Sequence, residues 1–278
     1  MFLSENEISA FVNRVKDSSV YDFSEYSFKS LTRRITKVLN DHTLDLDTLL
    51  DRLKEDPQFL ESIIQEITVN TTELFRDPPV WQTLRYSILP KFNNSDTLRI
   101  WHAGCSTGQE VYSMMILLNE MGLLDKAELH GTDINYEALG IAETGEYKYR
   151  FNLNYLDNFD KVIKETPGIK QLNEVSYSKY FTIDKIKDKL IMNKFLIEKP
   201  IFSWHNLASP EGCHLGNFDL ILCRNVIIYF NFSLQEKLFR HFWECLNYRG
   251  ILVLGAHESM IGPFSDHFEK INQINIKK

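Results

Sequence analysis

Thirteen residues, Leu98 to Glu110, restrict the fold of this chain more than any other stretch. They read Leu-Arg-Ile-Trp-His-Ala-Gly-Cys-Ser-Thr-Gly-Gln-Glu. Leu98, Ile100 and Trp101 suit a short buried strand. Ala103, Gly104, Ser106 and Gly108 form a small-residue turn. Val111, Met114, Met115 and Leu118 then recur at helical spacing. Strand, glycine turn and helix open a nucleotide-type binding unit, because small residues let backbone approach a ligand and a helix N-terminus offers free N–H groups. Two glycines with three residues between them are not the G-x-G-x-x-G dinucleotide fingerprint. A purely structural turn and a ligand site therefore both stay open at this point. A second strand, Ala127 to Thr132, ends in Asp133, the position at which an acid would grip a ribose hydroxyl pair.

Length and charge narrow the function classes. With 278 residues the chain forms one large domain or two smaller ones, and 44% hydrophobic residues supply a proper core. No run of eighteen apolar residues predicts a membrane span. Acids near the N-terminus replace the basic and apolar stretch of a signal peptide, so a cytoplasmic location is expected. Cys105, Cys213, Cys223 and Cys245 form no C-x-x-C pair and read as free thiols, and no metal site is expected. A net charge of −7 argues against a general nucleic-acid binder.

Residues 1 to about 88 read as a small helical domain and linker. Ser4 and Glu7 suit a capping box, and Asp56 with Pro57 suits a helix start. A helix over about Ser24 to Leu39 turns Phe28, Leu31, Ile35 and Val38 inward. Lys29, Arg33 and Lys37, with Arg34 beside them, form a basic stripe on an acidic protein. That stripe is either a solvated face or a docking surface for an acidic helix. Asn70 to Pro79 reads as a connector, since two prolines interrupt helix continuation.

From residue 89 to 278 an α/β order follows. Ile134 to Gly145 is a second helix. Tyr177 to Phe202 reads as a small antiparallel hairpin, so a β-subdomain is expected at about 175–203. Leu220 to Cys223 is an apolar run typical of a doubly buried parallel strand. Ser233 and Glu236 are expected to cap the next helix and Gly250 to stop it. Ile251 to Leu254 is another buried strand, and Phe264 to Ile276 supplies one or two more.

Several motifs occur together: Asn70-Thr71-Thr72 with Phe75-Arg76-Asp77, Ala103 to Ser113, Gly131-Thr132-Asp133-Ile134-Asn135, Asn206-Leu207, and Phe218 to Phe230. In them the chain resembles the CheR-type chemotaxis protein-glutamate O-methyltransferases, in family order and across most of its length. The resemblance implies a helical N-terminal domain (1–88) that docks receptors. It also implies a Rossmann-like S-adenosylmethionine methyltransferase domain (89–278) with an inserted β-subdomain. It implies that Asp133 holds the ribose, Glu110 the methionine ammonium, and Asn206 and Leu207 the adenine. Asn70, Thr72, Arg76, Arg224 and Asn225 complete the pocket, and Arg76 and Tyr229 lie nearest the transferred methyl. Lys29, Arg33, Arg34 and Lys37 would dock the cytoplasmic helical bundle of a chemoreceptor. The loop Thr182 to Lys189 contains no glycine, and this resembles relatives that need no C-terminal tether peptide.

The implied product is a glutamate methyl ester and S-adenosylhomocysteine. A glutamate carboxylate, with a reference pKa near 4.3, is already an anion at neutral pH, so no general base is required. An amine methyltransferase is not supported, because Val226 and Ile227 follow Asn225 where Asn-Pro-Pro-aromatic would stand. The alternative from another class is a catalytically silent module that binds the donor and signals by contact.

Overall fold

The computed structural model describes residues 3–68, 71–150, 154–169, 171–208 and 216–278. Asn70 and Cys213 lie outside the described residues. Four helices come first: α1 (Glu5–Ser18), α2 (Phe28–His42), α3 (Leu46–Glu55) and α4 (Pro57–Ile67). The expected caps are in place. The Ser4 hydroxyl accepts the Glu7 N–H, and the Glu7 carboxylate accepts the Ser4 N–H at 2.7 Å. Asp56 accepts the N–H groups of Gln58 and Phe59, with Pro57 at the first helical position. Apolar stripes of all four helices meet in one core, including Phe11, Val15, Ile35, Leu49 and Ile63. Helix α2 starts at Phe28 rather than Ser24, because a turn at Phe23–Tyr26 precedes it. Phe28 consequently stays 44% exposed instead of facing the core. The expected connector contains a helix, α5 (Pro78–Thr83), whose first two positions are the prolines. There the missing N–H has no intrahelical partner to lose.

The second unit is a seven-stranded sheet with the spatial order Ile201–Trp204, Ala127–Asp133, Leu98–Ala103, Phe218–Cys223, Leu246–Leu254, Ile274–Lys277, Phe268–Ile271. Strand β1 (Leu98–Ala103) leads through α6 (Gln109–Glu120) to β2 (Ala127–Asp133) and α7 (Tyr136–Thr144). Strand β1 pairs in parallel with β2 on one side and with β7 (Phe218–Cys223) on the other. The chain thus reverses its winding direction between β1 and β7, which opens a crevice beyond their carboxyl ends. Helix α10 (Phe232–Cys245) leads to β8 (Leu246–Leu254), parallel to β7. The antiparallel strands β9 (Phe268–Ile271) and β10 (Ile274–Lys277) close that edge. Two sequence expectations fail here. Asn231, not Ser233, caps α10 by accepting the Leu234 N–H. The helix ends at Cys245, so Gly250 lies inside β8, beside a register shift opposite Phe218 and Leu220.

A small three-stranded sheet with the order Glu146–Lys148, Lys189–Met192, Phe181–Asp184 packs on this unit. Its hairpin is β4 (Phe181–Asp184) and β5 (Lys189–Met192), and its third strand is β3 (Glu146–Lys148), well before residue 175. A short helix, α8 (Asn154–Phe159), falls between β3 and β4. The patch around Phe195 is a helical turn, α9 (Lys194–Ile197), not a strand. Ile201–Trp204, β6, leaves the subdomain and extends the main sheet beside β2. The helical unit is fastened to the main sheet near the crevice. Ser27 N–H donates to Tyr229 O at 2.8 Å, and Asn231 N–H to Glu25 O at 2.9 Å. The Tyr26 ring stands edge-on to Phe230. Among the described residues no helix is long and apolar enough to cross a membrane.

Candidate functional site

The crevice is a half-open cleft between the helical unit and the carboxyl ends of the parallel strands, lined from both units by residues such as Arg34, Arg76, Ser106 and Asp133. Its floor is the turn after β1. Gly104 and Cys105 both donate their N–H groups to Thr132 O, which folds the turn back on β2. Gly104 has φ +82°, and a Cβ there would lie 2.5 Å from Val226 Cγ2. Glycine is required on both counts. Gly104→Ala is expected to cost about 1–2 kcal/mol through its left-handed backbone alone, with Val226 displaced in addition. Urea unfolding midpoints measure it.

Asp133 ends β2 at the cleft wall. One carboxylate oxygen accepts Ser106 N–H at 2.7 Å, and the other accepts Asn135 N–H at 2.9 Å. Burial pushes its pKa up, against the pull of those N–H groups. Each oxygen keeps a lone pair for a further donor.

Glu110, in the first turn of α6, is held from two sides. Its carboxylate takes His102 Nδ1 at 2.9 Å and Arg224 Nη1 at 3.0 Å. Burial pushes its pKa up, but the His102 hydrogen bond and the Arg224 charge outweigh burial and hold it below the usual range. The Arg224 side chain is 1% exposed. Its Nη2 donates to Asp77 at 2.9 Å and to Arg76 O at 2.8 Å. Arg224 therefore ties the linker to Glu110.

The linker itself is sharply bent. Phe75 and Asp77 both adopt positive φ, at 51° and 59°. Non-glycine residues seldom do so, and such outliers concentrate at functional sites. Phe75 is fully buried, edge-on to Trp81 and Phe159. Arg76 lies between these left-handed residues and lines the cleft. Its Nη1 donates to Thr71 O, and no carboxylate among the described residues pairs with it.

The structure brings Thr72, Arg76, Glu110, Asp133, Asn206, Leu207, Arg224, Asn225 and Tyr229 to this one cleft. The basic stripe divides. Lys29, Arg33 and Lys37 are exposed and stay away from the cleft, and Lys37 pairs with Asp41. Arg34 shares a helix face with Ser30 and Leu31 and turns into the cleft, without an acidic partner among the described residues. Sequence reasoning missed three participants. His102 is buried behind Glu110, Asp77 pairs with Arg224, and the Glu258 carboxylate receives the Asn225 N–H at 2.8 Å. The signal for Glu258 was one acid soon after a buried strand, which in a single sequence also describes a solvated loop.

Comparison with known proteins gives a consistent result. The sequence profile described as the CheR methyltransferase SAM binding domain matches residues 70–276. The profile described as the CheR methyltransferase all-alpha domain matches residues 6–68. A Pseudomonas putida protein provisionally named methyltransferase Cher3 is 34% identical over 267 residues, covering 95% of this chain and 93% of its own. A chemotaxis protein methyltransferase of Listeria monocytogenes is 27% identical, covering 93% of this chain and 92% of its own. Chemotaxis protein methyltransferase 1 of Vibrio cholerae is 31% identical, covering 75% and 71%.

Proposed function

The chain belongs to the CheR methyltransferase family, and from that premise we propose how its cleft methylates glutamate carboxylates of chemoreceptors. S-adenosylmethionine supplies the activated methyl group on its sulfonium. The residues present fit that donor. Ser106 Oγ is buried in the cleft wall and has no partner among the described residues, and Ser106 N–H is bound to Asp133. Together they suit a sugar hydroxyl pair. Glu110, kept ionised by His102 and Arg224, suits an ammonium group. Asn206 and Leu207 would border the adenine, and Thr72, Asn225 and the Asn70 segment would close the pocket.

The observation that carries the acceptor assignment is the pair of cleft arginines, Arg34 and Arg76. Neither is neutralised by an acid among the described residues. They suit an incoming carboxylate. That carboxylate needs no general base, so the chain's task is alignment and exclusion of water. Tyr229 stands at the same mouth and would fix the acceptor's orientation. As the methyl group moves, donor cation and acceptor anion neutralise each other, so a water-poor cleft favours the step.

The helical unit (1–88) would dock the receptor's helical bundle in the cytoplasm through Lys29, Arg33 and Lys37, and residues 89–278 would perform the chemistry. Loss of one negative charge per ester relieves repulsion on an acidic helix and biases its signalling state. The β4–β5 turn closes over residues 185–188 and lacks glycine, which supports independence from a receptor tether peptide.

A radiolabelled methyl assay on a receptor cytoplasmic fragment, with and without its C-terminal peptide, tests the reading. Base-labile label on glutamate is expected, at equal rates in both arms. Donor binding without transfer would favour a silent module. Replacing Lys29, Arg33 and Lys37 together by alanine should slow receptor methylation roughly tenfold at low salt and flatten its salt dependence. Affinity for S-adenosylhomocysteine should stay at the wild-type value.

A further inference from the structure

The loop after β7 carries Arg224, Asn225 and Tyr229, yet its shape is imposed from the neighbouring strand. Glu258 lies four residues beyond the end of β8, is buried, and does not line the cleft. One carboxylate oxygen accepts Asn225 N–H at 2.8 Å and Gly255 N–H at 2.7 Å. The other faces Ile228 N–H at 3.4 Å. Ile228 is the middle residue of the short 3-10 turn Ile227–Tyr229. A carboxylate at the start of that turn suits its free N–H groups. The far end is also anchored, because Tyr229 O accepts the Ser27 N–H from the helical unit.

Two backbone features show how closely the acid is fitted. Asn225 has φ +60°, a conformation that costs an L-residue energy and persists only where surroundings enforce it. Its own N–H, the group that such a bend redirects, is the one bound to Glu258. At Gly255 a Cβ would lie 2.6 Å from Glu258 Oε2 and 2.9 Å from Asn225 N. Only glycine leaves room for the carboxylate to reach the loop.

Glu258 thus touches neither donor nor acceptor in the proposed reading, but it holds the segment that does. We propose that Glu258 is a positioning residue for methyl transfer, fixing the bend at Asn225 and the turn that presents Tyr229. The inference rests on the methyltransferase reading given above. Glu258→Gln keeps the shape and replaces one acceptor oxygen by an NH₂ group, which cannot receive a backbone N–H. Its one amide oxygen can keep Asn225 and Gly255, so the NH₂ group faces the Ile228 N–H, a donor against a donor, and the turn Ile227–Tyr229 must shift. A displacement near 1 Å at reacting groups lowers rate on the order of 10²-fold.

The test is a double-mutant cycle read by kcat on a receptor fragment, with E258Q, Y229F and the two combined. E258Q is expected to lower kcat on the order of 10²-fold, and the Kd for S-adenosylhomocysteine should rise by much less than kcat falls. The combined variant should match Y229F within about twofold, since coupled residues are non-additive. General loosening of the fold would instead multiply the two effects, and that result overturns the proposal. So does wild-type kcat in E258Q or in Y229F. If E258Q does not fold, Gly255→Ala displaces the same carboxylate without removing it, and its cycle with Y229F decides the question by the same criteria. A wild-type chain that transfers no methyl group overturns the functional reading itself. An active wild type with a fully active E258Q overturns this inference alone.

Discussion

Arg224→Met is expected to destabilise the folded chain by about 3–5 kcal/mol, the cost of breaking a buried ion pair by removing one partner. Methionine approximates the length of the side chain but none of its charge. The variant would strand Glu110, whose side chain is only 14% exposed and would keep the single His102 hydrogen bond. It would also release Asp77 and one of the two donors on Arg76 O; the other donor is Trp81 Nε1 at 2.9 Å. The guanidinium lies 5.7 Å from the centre of the Trp81 ring, so packing on α5 is lost with the charge. Urea denaturation at neutral pH measures the loss.

The pH dependence has a definite sign. In the wild type the Glu110 pKa is held below the usual value, so its ion pairs stabilise the fold above the unfolded-state pKa and lose that contribution as pH falls through the folded one. Without the Arg224 charge and hydrogen bond, burial is opposed by His102 alone and the Glu110 pKa moves up. The variant's deficit is therefore largest near neutrality and shrinks as pH falls through about 4.3, the ordinary glutamate value, because the stranded carboxyl then protonates. A deficit independent of pH would remove Glu110 from the explanation. Replacing Glu110 as well, by leucine, should recover part of the loss, since it removes the unpaired buried charge.

What the sequence revealed was local, and what it concealed was a choice among distant partners. The turn from Ala103 to Gly108 was readable because strand and helix periodicity change within a few residues, and because glycine density marks close backbone approach. Asp133 was readable because it ends a run of strand spacing. Strand β3 was not, since three residues carry no period; it is a strand only because Leu190 and its neighbours pair with it. Ile201–Trp204 is as short and as rich in apolar residues as the hairpin strands, and only pairing with His130–Asp133 assigns it to the main sheet. Arg34 shows the same limit on a helix. A repeat of four through Lys29, Arg33 and Lys37 defines the exposed stripe, but Arg34 is rotated by about 100° from Arg33. Whether that face meets solvent or a cleft depends on how α2 sits against the sheet, through contacts such as Ser27 to Tyr229. Glu258 is the extreme case, because its donors at Asn225 and Ile228 lie about thirty residues away on another strand's loop.

Arg76→Ala is expected to lower kcat/KM for receptor methylation on the order of 10²–10³-fold, the range for removing a single well-placed electrostatic donor. The linker holds this residue by its backbone, not by its side chain. Trp81 and Arg224 both donate to its carbonyl, and Phe75 plugs the core before it. Truncation therefore leaves the bend intact, and the variant should melt with the wild type. What disappears is a guanidinium whose protein partner is one carbonyl, Thr71 O at 3.2 Å. That weak commitment matters for the chemistry. A carboxylate gripped by a strong bidentate pair would be a poor nucleophile, whereas one steered by a partly engaged cation keeps its charge until the methyl group arrives. Alignment of this kind can contribute roughly 7–11 kcal/mol to a bimolecular step, so losing part of it shows in rate. Arg76→Lys keeps the charge without the planar fork and should fall between wild type and alanine. Base-labile counts on a receptor fragment, under saturating donor, read all three chains. Wild-type counts from the alanine variant would mean that the acceptor is oriented by Arg34 and Tyr229 without Arg76, and the role given to the linker would fall.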